Sequence, residues 1–217
     1  MNYFTVVLFS FSVFIATGLA WLRFKKIQAG FIPFIICLSV ASLNEITSFL
    51  LARFRINNAY NNNLYVLMEA MLITWQFKQW GLFKHNKLFI ALMLLMPVCW
   101  FIENFLVFNF SQISLYFRIG YSYLVVMMSI NRVSALIITV RNNLIASPEF
   151  LICLGFIIYF TNKILFEAFW LYGVNVSAFF IEPVFVWLTW TNLFVNLIYA
   201  VAVLCIPKKP QFIMPFA

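Results

Sequence analysis

Seven runs of mostly apolar residues, roughly 4–22, 31–52, 64–80, 88–108, 115–138, 150–172 and 184–206, fill most of this 217-residue chain. A helix crossing a bilayer needs about 20 apolar residues, so seven spans use roughly 140 positions and leave only short loops. The chain is 65% hydrophobic and 9% charged, where an average soluble domain is about 25% charged. A compact soluble fold of this size cannot hide so much apolar surface from water. The expected fold is all-α: a polytopic membrane protein, one integral domain over residues 1–217, built as a seven-transmembrane-helix bundle. Charge, Asn clusters or Pro separate the runs, as lipid-exposed backbone requires.

Lysine and arginine placement sets the expected orientation. With the N-terminus outside, the inner segments hold Arg23, Lys25, Lys26, Lys78, Lys84, Lys87, Arg141, Lys208 and Lys209. The outer segments hold only Arg53 and Arg55, and the remaining cations, Arg118, Arg132 and Lys163, fall within spans. Nine against two places the N-terminus outside and the C-terminus inside. Gly18-Leu19-Ala20 imitates a signal-peptidase site, but Arg23-Phe24-Lys25-Lys26 follows the apolar run instead of preceding it. A retained first helix is the expectation.

Several kinds of chemistry lack their residues. The chain has no Asp, six Glu and one His, His85, which sits in an inner loop between Lys84 and Asn86. Cys37, Cys99, Cys153 and Cys205 are isolated within spans, where cysteine behaves as a small apolar residue. No metal spacing, nucleophile elbow or phosphate-binding loop appears, so neither a metal nor a cofactor is expected. The net charge of +8 is scattered over short loops rather than gathered on one face, so nucleic acid is not an expected partner. Membrane lipid is. Asn57-Asn58 and Asn61-Asn62-Asn63 read as a polar outer loop, and Asn109-Phe110-Ser111 and Asn175-Val176-Ser177 match the glycosylation sequon.

An ionisable group inside a span is costly and marks a functional site by default. Counting about 1.5 Å per residue along each run puts Glu45 roughly 21 Å from the inner edge and Glu69 about 8 Å below the outer one. Glu103 and Lys163 fall in the same outer half, with Glu167 and Arg118 near the outer interface. Arg132 lies about 25 Å down its span, near the inner interface, where snorkelling accounts for it. Four carboxyls thus share a level with two cations, and pairing leaves two carboxyls over. Either these groups only fasten helices, or they line a water-accessible pocket for something polar or cationic.

Helical periodicity indicates the faces involved. Cys37, Ala41, Asn44 and Ser48 form a stripe beside Glu45, and Glu69 aligns with Gln76. Arg118, Ser122, Ser129, Arg132 and Thr139 share one face. Gly155, Tyr159, Lys163 and Glu167 share another, as do Thr189, Asn192, Asn196 and Tyr199. These stripes are expected to face the bundle interior. The candidate ligand-binding residues are Asn44, Glu45, Glu69, Glu103, Arg118, Lys163, Glu167, Asn192 and Asn196.

Leu64-Tyr65-Val66-Leu67-Met68-Glu69 with Asn44-Glu45, and Trp190-Thr191-Asn192 leading to Asn196-Leu197-Ile198-Tyr199-Ala200, resemble a poorly characterised group of bacterial seven-helix inner-membrane proteins. Those proteins occur alone or as the membrane part of sensor kinases. The resemblance implies a receptor-like sensing role, with Glu45, Glu69 and Asn196 at the matching positions. Against the kinase-linked form, the tail from Lys208-Lys209-Pro210-Gln211-Phe212 onward is expected to carry no output domain, and a separate membrane or cytoplasmic partner protein is the expected route for a signal. The expected function is a non-enzymatic receptor that takes a small polar or cationic ligand in a bacterial inner membrane. A proton- or cation-coupled transporter or channel is the alternative, with Gln76, Ser129 and Arg132 continuing a polar route inward. An intramembrane lipid-modifying enzyme using Glu45 or Glu69, and an accessory or effector protein without a pocket, are the further alternatives.

Overall fold

The computed structural model describes residues 3–107, 109–139, 144–171 and 178–207, and those residues contain no strand. Arg141, Lys208, Lys209 and the sequon at Asn175 lie outside the described residues. The helices are α1 (Tyr3–Ser10), α2 (Val13–Arg23), α3 (Ile32–Arg53), α4 (Ala59–Gln79), α5 (Asn86–Phe101), α6 (Leu115–Thr139), α7 (Pro148–Leu171) and α8 (Ala178–Cys205). A π-helical segment, Ile102–Val107, continues α5. Six segments are long and apolar enough to cross a membrane: Val7–Lys26, Ala29–Arg53, Asn86–Val107, Leu115–Thr139, Pro148–Leu171 and Val186–Cys205. The chain is a multi-pass helical membrane protein.

The first apolar run is two helices, not one. The break falls after Ser10, and the Ser12 hydroxyl donates to the Phe9 carbonyl at 2.5 Å. Serine competes with the helix ladder in this way, and neither Pro nor Gly is needed. The third run also differs. Asn61, Asn62 and Asn63 do not belong to a loop but lie in the opening turns of α4, which begins at Ala59. These asparagines, with Glu69 and Gln76, keep this 21-residue helix out of the six apolar segments.

Packing explains where such a polar helix can sit. α2, α3, α4, α6, α7 and α8 each pack on the next, and α8 closes on α2, forming a ring. α1 packs on α8, and α5 lies outside the ring against α4 and, more loosely, α6. α4 buries Asn63, Val66, Glu69, Ala70, Ile73, Gln76 and Phe77, a helical stripe facing its neighbours.

Both ends of the ring are tied by side chains that satisfy helix termini. Gln76 accepts the Phe34 N–H at 2.8 Å and donates to the Gly30 carbonyl at 2.6 Å, anchoring the start of α3. Arg23 donates to the carbonyls of Val203 at 2.8 Å, Ile206 at 3.3 Å, and Leu204, closing the end of α8. A cation there complements the helix dipole and its orphan carbonyls. At the opposite end Asn63, fully buried, donates to Asn104 Oδ1 at 2.8 Å and the Gln112 carbonyl at 2.7 Å. Its own Oδ1 accepts the Ser114 N–H at 3.2 Å. Trp100 Nε1 adds a bond to the Asn63 carbonyl at 2.8 Å.

Candidate functional site

The ring encloses a cavity of about 220 Å³, half open, with walls from every ring helix and none from α5. Four of the six level-sharing ionisable residues line it: Glu45, Glu69, Arg118 and Lys163. Asn44, Asn192 and Asn196 line it as well. Glu103, expected beside them, does not; it lines a second cavity between α5 and α6. It sits on the segment that continues α5, outside the ring, and its two carboxylate oxygens accept the N–H groups of Tyr116 at 2.9 Å and Phe117 at 2.5 Å. It caps the first turn of α6, as carboxylates do at helix N-termini. Glu167 is buried just behind the wall rather than in it, bonded to Arg118 Nη1 at 3.2 Å.

Glu69 and Lys163 form the centre of the site. Lys163 Nζ lies 3.1 Å from Glu69 Oε2, and the side chains are 11% and 6% exposed. The Tyr121 hydroxyl donates to the same carboxylate oxygen and accepts from Lys163. The Tyr65 hydroxyl donates to the other oxygen at 2.7 Å. Lys163 Nζ also lies 4.9 Å from the Tyr121 ring centroid, 5.4 Å from Phe160 and 5.6 Å from Tyr159. A buried ammonium is therefore held by one carboxylate, one hydroxyl and three aromatic faces.

The amides form a second layer. Asn61 Nδ2 donates to Asn44 Oδ1 at 2.8 Å, joining α4 to α3. Asn196 Nδ2 donates to Ser12 Oγ at 2.8 Å and approaches Asn192 Oδ1 at 3.4 Å. Gly155 lets the Tyr199 ring, a further wall residue, lie against α7; a Cβ there would sit 3.0 Å from Tyr199 Cζ.

Glu45 stands apart. It lines the cavity and, among the described residues, makes no hydrogen bond or ion pair. Of the four carboxyls counted against two cations, two are paired, one caps a helix, and Glu45 is left bare. No family, curated protein or solved structure matches this chain. The meaning of the site rests on its own geometry.

Sequence reasoning passed over Tyr65 and Tyr121. Tyr65 stands four residues before Glu69 and Tyr121 three after Arg118, so helical spacing offered both. The residues expected to carry a polar route inward are otherwise engaged. Gln76 anchors α3, Ser129 Oγ donates to the Val125 carbonyl at 2.7 Å, and Arg132 bonds Glu149 at 2.8 Å. Arg132 is thus ion-paired to the start of α7 rather than simply snorkelling. Beneath the cavity Phe34, Phe156 and Tyr199 pack edge to face, with centroids 5.4 to 6.2 Å apart. Among the described residues no three His, Cys, Asp or Glu converge as metal ligands.

A second, apolar cavity of about 420 Å³ lies between α5 and α6. Tyr121 lines it with its ring while its hydroxyl serves Glu69 and Lys163.

Proposed function

We propose that this is a non-enzymatic, receptor-like protein of seven membrane spans whose ring cavity binds a small polar or cationic ligand. α4 is the seventh span: its 21 residues extend about 31 Å, and α3 and α6 in the ring, with α5 outside it, pack against it and shield its polar stripe from lipid. The excess of Lys and Arg in alternate loops supports an N-terminus outside and a C-terminus inside, and the resemblance noted above supports a bacterial inner membrane. The weak likeness to stand-alone relatives of sensor-kinase membrane domains points the same way. Ligand binding would alter the packing of the ring, and a partner protein would read the change through the inner loops or the tail.

The observation that carries the reading is Glu45: a carboxylate without a partner among the described residues, on the wall of a cavity whose other three charged side chains are each ion-paired. A structural role needs a partner in the fold, and a ligand would supply one. The aromatic floor and the engaged state of Gln76, Ser129 and Arg132 favour a receptor over a transporter. The test is a thermal-shift screen of purified protein with small polar and cationic compounds, repeated on Glu69→Gln. A response that depends on Glu69 is expected. Responses unchanged in that variant would refute this pocket, and ion- or pH-driven movement across liposomes would favour transport.

A further inference from the structure

We infer that the ligand is a small zwitterion of amino-acid size, its ammonium bound at Glu45 and its carboxylate at Arg118. The inference rests on the receptor reading and names the ligand class that reading leaves open.

The charged side chains on the cavity wall do not all satisfy one another. Of the four ionisable residues there, Glu69 and Lys163 satisfy one another with the help of Tyr65 and Tyr121. Arg118 spends Nη1 on Glu167 Oε1, while its Nε is buried with no hydrogen-bond partner. Glu45 has no partner among the described residues. The wall therefore offers one spare carboxylate and one spare guanidinium edge. A guanidinium presents its donors as a planar fork that suits a carboxylate.

Three ligand classes can be compared on this inventory. A simple cation matches Glu45 and leaves the Arg118 edge bare. A simple anion matches Arg118 and adds a second uncompensated negative charge to a space already holding Glu45. A zwitterion matches both and leaves the charge of the site unchanged. In a low-dielectric interior unmatched charge is the dominant cost, so the third class fits best. Size agrees: about 220 Å³ is the share of roughly seven liquid waters, enough for a molecule of a few heavy atoms. Placement agrees too. Glu45 lies on α3 and Arg118 on α6, and α4 stands between those helices in the ring. A molecule touching both residues would bridge the two helices, with the amides of Asn44 and Asn192 on the same wall.

The experiment uses the full chain in a nonionic detergent and reads melting temperature against probe concentration. The probes are the common free amino acids, their methyl esters, which keep only the amine, and their N-acetyl derivatives, which keep only the carboxylate. At least one free amino acid should raise the melting temperature, with its ester and N-acetyl forms each about 10- to 100-fold weaker, the loss of one charge-assisted bond. Glu45→Gln should reduce the free amino acid to the level of its N-acetyl form. Arg118→Lys, which keeps a cation beside Glu167, should reduce it to the level of its ester. Melting without probe confirms that both variants fold.

An ester that binds as tightly as the free acid, with Arg118→Lys inert, would overturn the zwitterion and leave a cation receptor standing. A Glu45-dependent response to another polar compound but to no amino acid would do the same. No Glu45-dependent response to any small polar compound would overturn both the inference and the receptor reading.

Discussion

Lys163→Met leaves the Glu69 carboxylate with two tyrosine hydroxyls and no counter-charge. The side chains of the pair are only 11% and 6% exposed, so water screens them little. Removing one partner of a buried pair costs about 3–5 kcal/mol. Methionine is unbranched and of similar length, so it keeps contact with the rings of Tyr121, Tyr159 and Phe160, and the loss is mainly electrostatic. Glu69→Gln makes the complementary defect, a buried ammonium without its carboxylate. The aromatic faces still hold that cation by about 0.5–2 kcal/mol, which puts this variant at the lower end of the same range. The double variant has no charge to strand, and replacing a whole buried pair is often neutral. Its cost should be near zero, so the coupling equals the sum of the two single costs, about 6 kcal/mol, above the usual 0.5–3 kcal/mol for residues in contact because each single variant strands a buried charge. Equilibrium unfolding in mixed detergent micelles, followed by tryptophan fluorescence, measures all four corners of the cycle. If the single costs simply add, or Lys163→Met costs under about 1 kcal/mol, the pair is solvated and its reading as a buried ion pair is wrong.

Other substitutions separate fold from site. Glu103→Ala removes the acceptor for the Tyr116 and Phe117 N–H groups; unfolding should show a loss of about 0.5–2 kcal/mol, with the ligand response unchanged. Gly155→Ala drives a methyl into the Tyr199 ring. It should cost about 1–3 kcal/mol by overpacking and weaken ligand binding, measured by melting with and without the ligand. Arg55 holds φ 56° after α3, where its N–H bonds Ala52 and the Ile56 N–H bonds Leu51. Glycine suits that left-handed position, as Gly81 does after α4 at φ 75°, so Arg55→Gly should stabilise by about 1 kcal/mol in the same unfolding assay. Glu45→Leu removes a carboxylate with no partner among the described residues, so melting temperature should rise or stay level while ligand binding disappears.

What was legible in the sequence divides along one line. Depth and face along a helix follow from counting, and counting brought Glu45, Glu69, Arg118 and Lys163 to one level and Asn192 and Asn196 to one stripe. All six line the cavity. Depth says nothing about which helices are neighbours. Glu103 shares the level yet belongs to the one long helix outside the ring, and its oxygens serve α6 instead. Asn61, Asn62 and Asn63 were misplaced for a related reason. Polarity after a loop looks like more loop, but a helix enclosed by apolar neighbours can carry amides inward, where Asn63 bonds Asn104 and Gln112. The break after Ser10 has no Pro or Gly to announce it.

The polar residues of α4 also bear on why Glu45 matters. In lipid every unsatisfied polar group is expensive, and this helix meets that demand at each buried position that carries one. Asn63 is bonded through both ends of its amide, Thr74 donates to the Ala70 carbonyl at 2.8 Å, Gln76 joins Gly30 and Phe34, and Glu69 accepts from Lys163 and two tyrosines. Partners for a carboxylate are not scarce nearby: Asn44 beside it already receives the Asn61 amide. A fold that saturates α4 and leaves its neighbour Glu45 bare gains no stability from that carboxylate. On the proposed receptor reading, its contribution comes from a state in which something else occupies the cavity.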